Sequence, residues 1–167
     1  MSRWILVGLV LVSALAAVPG LEGRERAPRV ASRVHMSQHG WQGWVRGEDI
    51  AGAPDRGLQV EAIRLRIERV PGSIRYSVHA KGIGWTDWAE DGQIAGTTGE
   101  KRRVEAIRLE LAELPDWSVA YRVCLRGHGW SEWAHDGEVA GTTGQEQAVE
   151  AVEIRLETRR GLITRRP

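Results

Sequence analysis

The sequence predicts an all-β domain built from three repeats with pseudo-threefold symmetry, β-trefoil or β-prism-like. Three observations predict it. One unit of 44 to 45 residues is written three times, apolar residues alternate with period two inside each copy, and turn residues recur at fixed offsets. The repeat is plain in Trp41-Gln-Gly-Trp44, Trp85-Thr-Asp-Trp88 and Trp130-Ser-Glu-Trp133. Ile50-Ala-Gly52, Ile94-Ala-Gly96 and Val139-Ala-Gly141 keep the same register, as do Val60-Glu-Ala62, Val104-Glu-Ala106 and Val149-Glu-Ala151. The one extra residue falls in the linker Leu114–Ser118, where a loop absorbs it.

Each unit opens with a strand. In Ile74–Ala80, apolar Ile74, Tyr76, Val78 and Ala80 alternate with Arg75, Ser77 and His79. Asp91-Gly92 and Asp136-Gly137 suit a tight turn that needs positive φ. Gly96-Thr-Thr-Gly99 reads as a second turn, and Gly96 and Gly141 are expected to be structural. The closing segment Glu105–Leu111 again alternates, with Ile107, Leu109 and Leu111 on one face. The first and third units repeat that period, which argues against an amphipathic helix. Three units are too few for a propeller, and one alone could not bury its apolar face.

That parity puts Glu61, Glu105 and Glu150 on the core-facing side of their strands. Two arrangements are open. Either each carboxylate lies inward and takes a donor from a Trp indole or the Gly-Thr-Thr-Gly amides, or a β-bulge after Glu105 turns it outward. In both arrangements these glutamates are structural.

The chain of 167 residues has room for one ordinary domain. Arg3, an uncharged apolar run over Trp4–Val18 and a small-residue exit predict a secretory signal peptide over residues 1–20, too short to span a bilayer as a helix. No stable membrane insertion is expected once it is removed. Residues 21–29 read as a linker. Residues 30–167 then form a single domain of three repeats, at 30–70, 71–115 and 116–160. Gly161-Leu-Ile163 resembles the start of a further unit, so the C-terminus is expected to pair beside the N-terminal strand. With 23 Lys+Arg against 22 Asp+Glu there is no basic field of the kind nucleic-acid binders carry. The 42% hydrophobic content is too high for a disordered chain. The single Cys124 excludes an internal disulfide.

The unit Val78-His79, Gly84-Trp85-x-x-Trp88-x-x-Asp91-Gly92, Ala95-Gly96-Thr97-x-Gly99 and Val104-Glu105-Ala106-Ile107 resembles the ChW repeat, the clostridial hydrophobic repeat with a characteristic Trp. The first copy departs with Gly47-Glu48 for Asp-Gly and Ala53 for Thr, and the third with Cys124 for His. The resemblance implies a secreted or surface-exposed bacterial protein that binds polysaccharide or other proteins rather than catalysing.

The residues themselves point to binding. Eight Trp with no Phe is an unusual aromatic set, and six of the eight lie in the repeated pairs. Parity along a flat strand would put the two Trp of a pair on opposite sides, leaving one as a surface platform for a sugar ring, unless both fill the core. Trp41, Trp44, Trp85, Trp88, Trp130 and Trp133 are therefore candidate ligand-binding residues. His35 and His79, on the outward face beside Arg33 and Arg75, join them as hydrogen-bond donors, the alternative being that each anchors a turn. Cys124, His128 and His135 form an incomplete metal set, and no metal or other cofactor is expected. Polar residues that come in threes, with no nucleophile motif or phosphate loop, argue against an enzyme. The expected partner is extracellular or cell-wall polysaccharide, or else a cell-surface protein met through an adhesion contact.

Overall fold

The computed structural model describes residues 27–159. The expected signal peptide and the Gly161–Ile163 segment lie outside the described residues. Among these the chain forms fifteen strands in three sheets and no helical element.

Each unit is framed by two long antiparallel strands. They are β1 (Arg29–Met36) with β5 (Val60–Glu68), β6 (Ser73–Ala80) with β10 (Val104–Ala112), and β11 (Trp117–Leu125) with β15 (Val149–Thr158). Between them the chain doubles back along the opening strand in two short pieces. In the first unit these are β2 (Gly40–Trp41) and β3 (Val45–Arg46), both paired with β1. In the second, β7 (Gly84–Trp85) and β8 (Ala89–Glu90) pair with β6; in the third, β12 (Gly129–Trp130) and β13 (Ala134–His135) pair with β11.

The Ala-Gly pieces then leave their own unit. Strand β9 (Ala95–Gly96) pairs with β5 of the first unit, and β14 (Ala140–Gly141) with β10 of the second. Strand β4 (Ala51–Gly52) of the first unit pairs with β15 of the third. Every unit thus lends two residues to the sheet before it, and the exchange runs round a ring. The expected turn at Gly96–Gly99 therefore begins as a strand of a neighbouring sheet.

The alternation read from the sequence sets the inner faces. Val30, Val34, Ile63 and Leu65 of the first sheet, Ile74, Tyr76, Val78, Ile107 and Leu109 of the second, and Val119, Tyr121, Val123, Val152 and Ile154 of the third are buried in one core cluster. Two tyrosines latch the junctions. Tyr76 donates its hydroxyl hydrogen to a carbonyl, with Leu65 O and Gln93 O both in reach, and the Tyr121 hydroxyl accepts from Leu109 N at 3.1 Å and donates to Glu138 O. Burial pushes the Tyr121 hydroxyl up to about 12. The Asp-Gly turns seal the same junctions. Asp91 and Asp136 take positive φ, and Gly92 N and Gly137 N donate across to Leu65 O and Leu109 O at 2.5 and 2.7 Å. At the third junction Ser32 stands where the tyrosines stand and Gly47-Glu48 replaces Asp-Gly. A notch of about 160 Å³ lined by Val30, Gly47, Glu48, Ile154 and Leu156 opens there.

The glutamates settle into a combination of the two expected arrangements. Strand register shifts at Glu61, Glu105 and Glu150, so each is the extra residue of a β-bulge, yet each stays buried. The bulge aims the backbone carbonyl at the visiting strand, where Thr97 N, Thr142 N and Ala53 N donate to Glu61 O, Glu105 O and Glu150 O, each at 3.0 Å. The turn amides therefore serve these carbonyls and not the carboxylates. The visiting glycine must be bare. A Cβ on Gly96 (φ +103°) would lie 2.3 Å from Glu61 O, and Gly141 and Gly52 meet the equivalent carbonyls at 2.4 Å.

A Gly96→Ala variant is expected to lose about 3 kcal/mol or more in urea unfolding, because φ strain adds to a backbone collision at the ring closure. Gly99→Ala, also at positive φ but facing open space, is expected to lose only about 1–2 kcal/mol. Equal losses would mean that the close approach of the visiting strand is unimportant.

Candidate functional site

The outer faces of the sheets carry the six paired tryptophans. All six are half-buried, and none belongs to the core cluster. In each unit one guanidinium lies against both indoles. Arg33 is 4.9 Å from the Trp41 ring centre and 5.0 Å from that of Trp44. Arg108 is 4.6 Å from both Trp85 and Trp88, and Arg122 is 4.8 and 4.7 Å from Trp130 and Trp133. A second arginine meets the second indole. Arg66 lies 4.4 Å from Trp44, Arg75 5.2 Å from Trp88 and Arg155 3.9 Å from Trp133. Each contact contributes about 0.5–1 kcal/mol at a partly exposed site, and more where the cation is desolvated.

Both Trp of a pair therefore share one face, contrary to the expectation that they lie on opposite sides or fill the core. Pleat parity holds only along continuous strand, and residues 42–44, 86–88 and 131–133 are outside the ladder of hydrogen bonds that defines one. Local bonds hold that segment. Thr86 Oγ1 and Ser131 Oγ accept from Val78 N and Val123 N at 3.2 Å, while Gln42 Oε1 accepts from Gly52 N at 2.8 Å.

The arginines escaped the repeat comparison because they change strands. The inner rung is Arg33 on β1, Arg108 on β10 and Arg122 on β11, and these occupy one cross-strand position: Arg33 faces Arg64, Ser77 faces Arg108, and Arg122 faces Glu153. The outer rung behaves alike, from Arg66 opposite Ala31, Arg75 opposite Glu110, and Arg155 opposite Ala120. The spatial position repeats where the sequence position does not. Pairing the two strands residue by residue would have revealed it.

His35 and His79 border the same faces. Each ring meets the first indole edge-on, at 5.5 and 5.6 Å, with Nδ1 lying 3.2 Å from the buried carboxylate of Glu61 or Glu105. Further donors differ by unit. Arg103 reaches Glu105 at 2.9 Å, and in the third unit, where Cys124 replaces His, Arg126 Nε reaches Glu150 at 2.9 Å. The hydrogen-bond donors to these carboxylates are thus Gln59, Arg103 and Arg126 side chains instead of indoles, while the two His Nδ1 atoms lie near their carboxylates without a hydrogen bond. In the first unit the smaller Gln59 leaves a cleft of about 760 Å³ lined by His35, Gln59, Glu61, Lys101 and Arg126. Cys124 is buried and free, and burial raises its thiol. Among the described residues no group of three or more His, Cys, Asp or Glu is placed to hold a metal ion.

The family model for the clostridial hydrophobic W repeat matches residues 35–69, 79–113 and 125–158, together more than half of the chain. The chain belongs to the ChW family. No curated protein and no solved structure matches it. Each ChW match spans one Trp pair, the visiting Ala-Gly strand and the bulged glutamate of its unit, whereas Arg33, Arg75 and Arg122 of the ladders lie just ahead of the matched residues.

Two outcomes test the ladder. Arg108→Ser should lower stability by about 1–2 kcal/mol. Adding Ser77→Arg, which moves the guanidinium to the strand used by the first and third units, should restore most of that loss in thermal unfolding; no recovery would mean that the cross-strand position is not what the Trp pair requires. The second concerns acid. Glu68 accepts from Arg29, Arg66 and Arg46, which hold its carboxyl down at about 2 from an ordinary 4.5. Its contribution is present above about pH 4.5 and is lost as pH falls towards 2, so Glu68→Gln should flatten that limb of the stability profile.

Proposed function

We propose that this ChW protein is an exported, non-catalytic binding module whose outer faces engage extracellular or cell-wall polysaccharide. The supporting observation is the placement of six half-buried indoles outside a core that is complete without them. Indole faces and edges set among fixed donors are the chemistry that meets a sugar ring, which has apolar C–H faces and a polar rim. Repeated faces also supply avidity from individually weak contacts. The cyclic strand exchange favours a prism-like reading of the fold, with the three sheets as walls and the ladders facing outward.

In the second and third units the first Trp of the pair is the better platform, whereas in the first unit both indoles touch two guanidinia. Trp85 and Trp130 each touch a single guanidinium, whereas Trp88 and Trp133 each touch two. A second reading, a contact between proteins, draws on Ile50, Ile94 and Val139. These occupy one repeated position and remain 44–50% exposed.

Titrating the Trp fluorescence of the secreted chain with soluble polysaccharides and wall fragments tests the proposal. A saturable change is expected with at least one polymer, weakened in a Trp85→Ala chain whose circular dichroism is unchanged. Silence across the panel, together with tight binding to one surface protein that Ile94→Asp abolishes, would replace it with the second reading.

A further inference from the structure

The three ladders differ in charge at the residue opposite the sandwiched arginine, which is Arg64, Ser77 and Glu153 in turn, and the difference points to a ligand. In the third unit the sandwiched Arg122 is neutralised from within: Glu153, directly opposite on β15, accepts from its Nε at 2.8 Å and lies 2.7 Å from its Nη2. Charge-assisted contacts of this kind are the strong ones. In the first unit the residue opposite is Arg64, so two guanidinia face each other across an antiparallel pair, an arrangement that is destabilising without an anion. In the second unit the residue opposite Arg108 is Ser77. The buried Nε of Arg33 and that of Arg108 have no hydrogen-bond partner. Among the described residues no carboxylate stands within ion-pair distance of Arg33, Arg64, Arg75 or Arg108. The nearby Glu68 is engaged by Arg29, Arg46 and Arg66.

We infer that the first and second units bind the carboxylates of an acidic, uronate-bearing polysaccharide, in the place that Glu153 fills in the third. The inference rests on the polysaccharide reading and names its ligand class. A hexuronate ring matches the site in both of its parts. Its carboxylate meets the terminal nitrogens of Arg33 with Arg64, or of Arg108, and its C–H face meets the first indole of the pair. Two working faces and one self-neutralised face make the protein bivalent for such a polymer, despite three repeats.

The third unit supplies the design of the test. Arg64→Glu and Ser77→Glu each place a carboxylate opposite the sandwiched arginine, as Glu153 stands to Arg122, and Arg122 itself shows that a long side chain fits at the position of Ser77. The probes are polygalacturonate, its methyl-esterified form and poly-glutamate, with binding read by Trp fluorescence on chains whose circular dichroism matches the parent. Polygalacturonate should bind, more weakly as salt is raised. Each single variant should lose about tenfold in affinity, and the double variant about a hundredfold. Glu153→Arg, which gives the third unit the Arg–Arg pair of the first, should gain affinity. Equal binding of the esterified polymer, unmoved by these variants, would overturn the acidic ligand while leaving the polysaccharide reading intact. Binding of poly-glutamate as tight as that of polygalacturonate would overturn the sugar and leave only the charge. Failure of all polysaccharides, neutral and acidic, would overturn both readings.

Discussion

The structure depends on the approach of a two-residue strand to a bulged glutamate of the neighbouring unit. The carbonyls of Glu61, Glu105 and Glu150 lie so near Gly96, Gly141 and Gly52 that no side chain fits between them. A backbone donor one residue further on completes each contact at 3.0 Å. Because the lender of each strand is always the following unit, and the first lends to the third, no unit completes its own sheet. The ladders follow from that exchange. The segment holding each Trp pair is tied to the opening strand at one end and to a foreign sheet at the other, so both indoles stay on the outer face.

Much of this was legible in the sequence. The period-two alternation of Ile74, Tyr76 and Val78, or of Ile107 and Leu109, assigned the inner faces directly, because side chains on a pleated strand have no other way to share a side. The Asp-Gly turns were equally plain. Parity failed at Trp85 and Trp88, where the chain leaves the ladder, and at Glu105, where a bulge adds a residue. Both are places where local backbone geometry overrides a simple period.

What the sequence hid is the arginine. Arg33, Arg108 and Arg122 occupy one position in space from two positions in the repeat, since either member of a directly opposed pair can reach the same indoles. Aligning the units along the chain scatters them, and only strand pairing brings them together. The same exchange of roles leaves Arg64, Ser77 and Glu153 as the residues opposite, and so makes the three faces chemically unequal on nearly equal backbones. Copy number therefore overstates the number of equivalent sites.

The central claim, a ring of units that fold only together, is tested most directly by equilibrium urea unfolding of the purified chain. Far-UV circular dichroism, Trp fluorescence and hydrogen exchange of the three closing strands should be followed in parallel. The account predicts one transition with coincident midpoints for all three strands, because removing any unit strips a strand from one neighbour and a sheet from another. Separate midpoints, or a protease-resistant fragment of a single unit that keeps its strand signal, would contradict it.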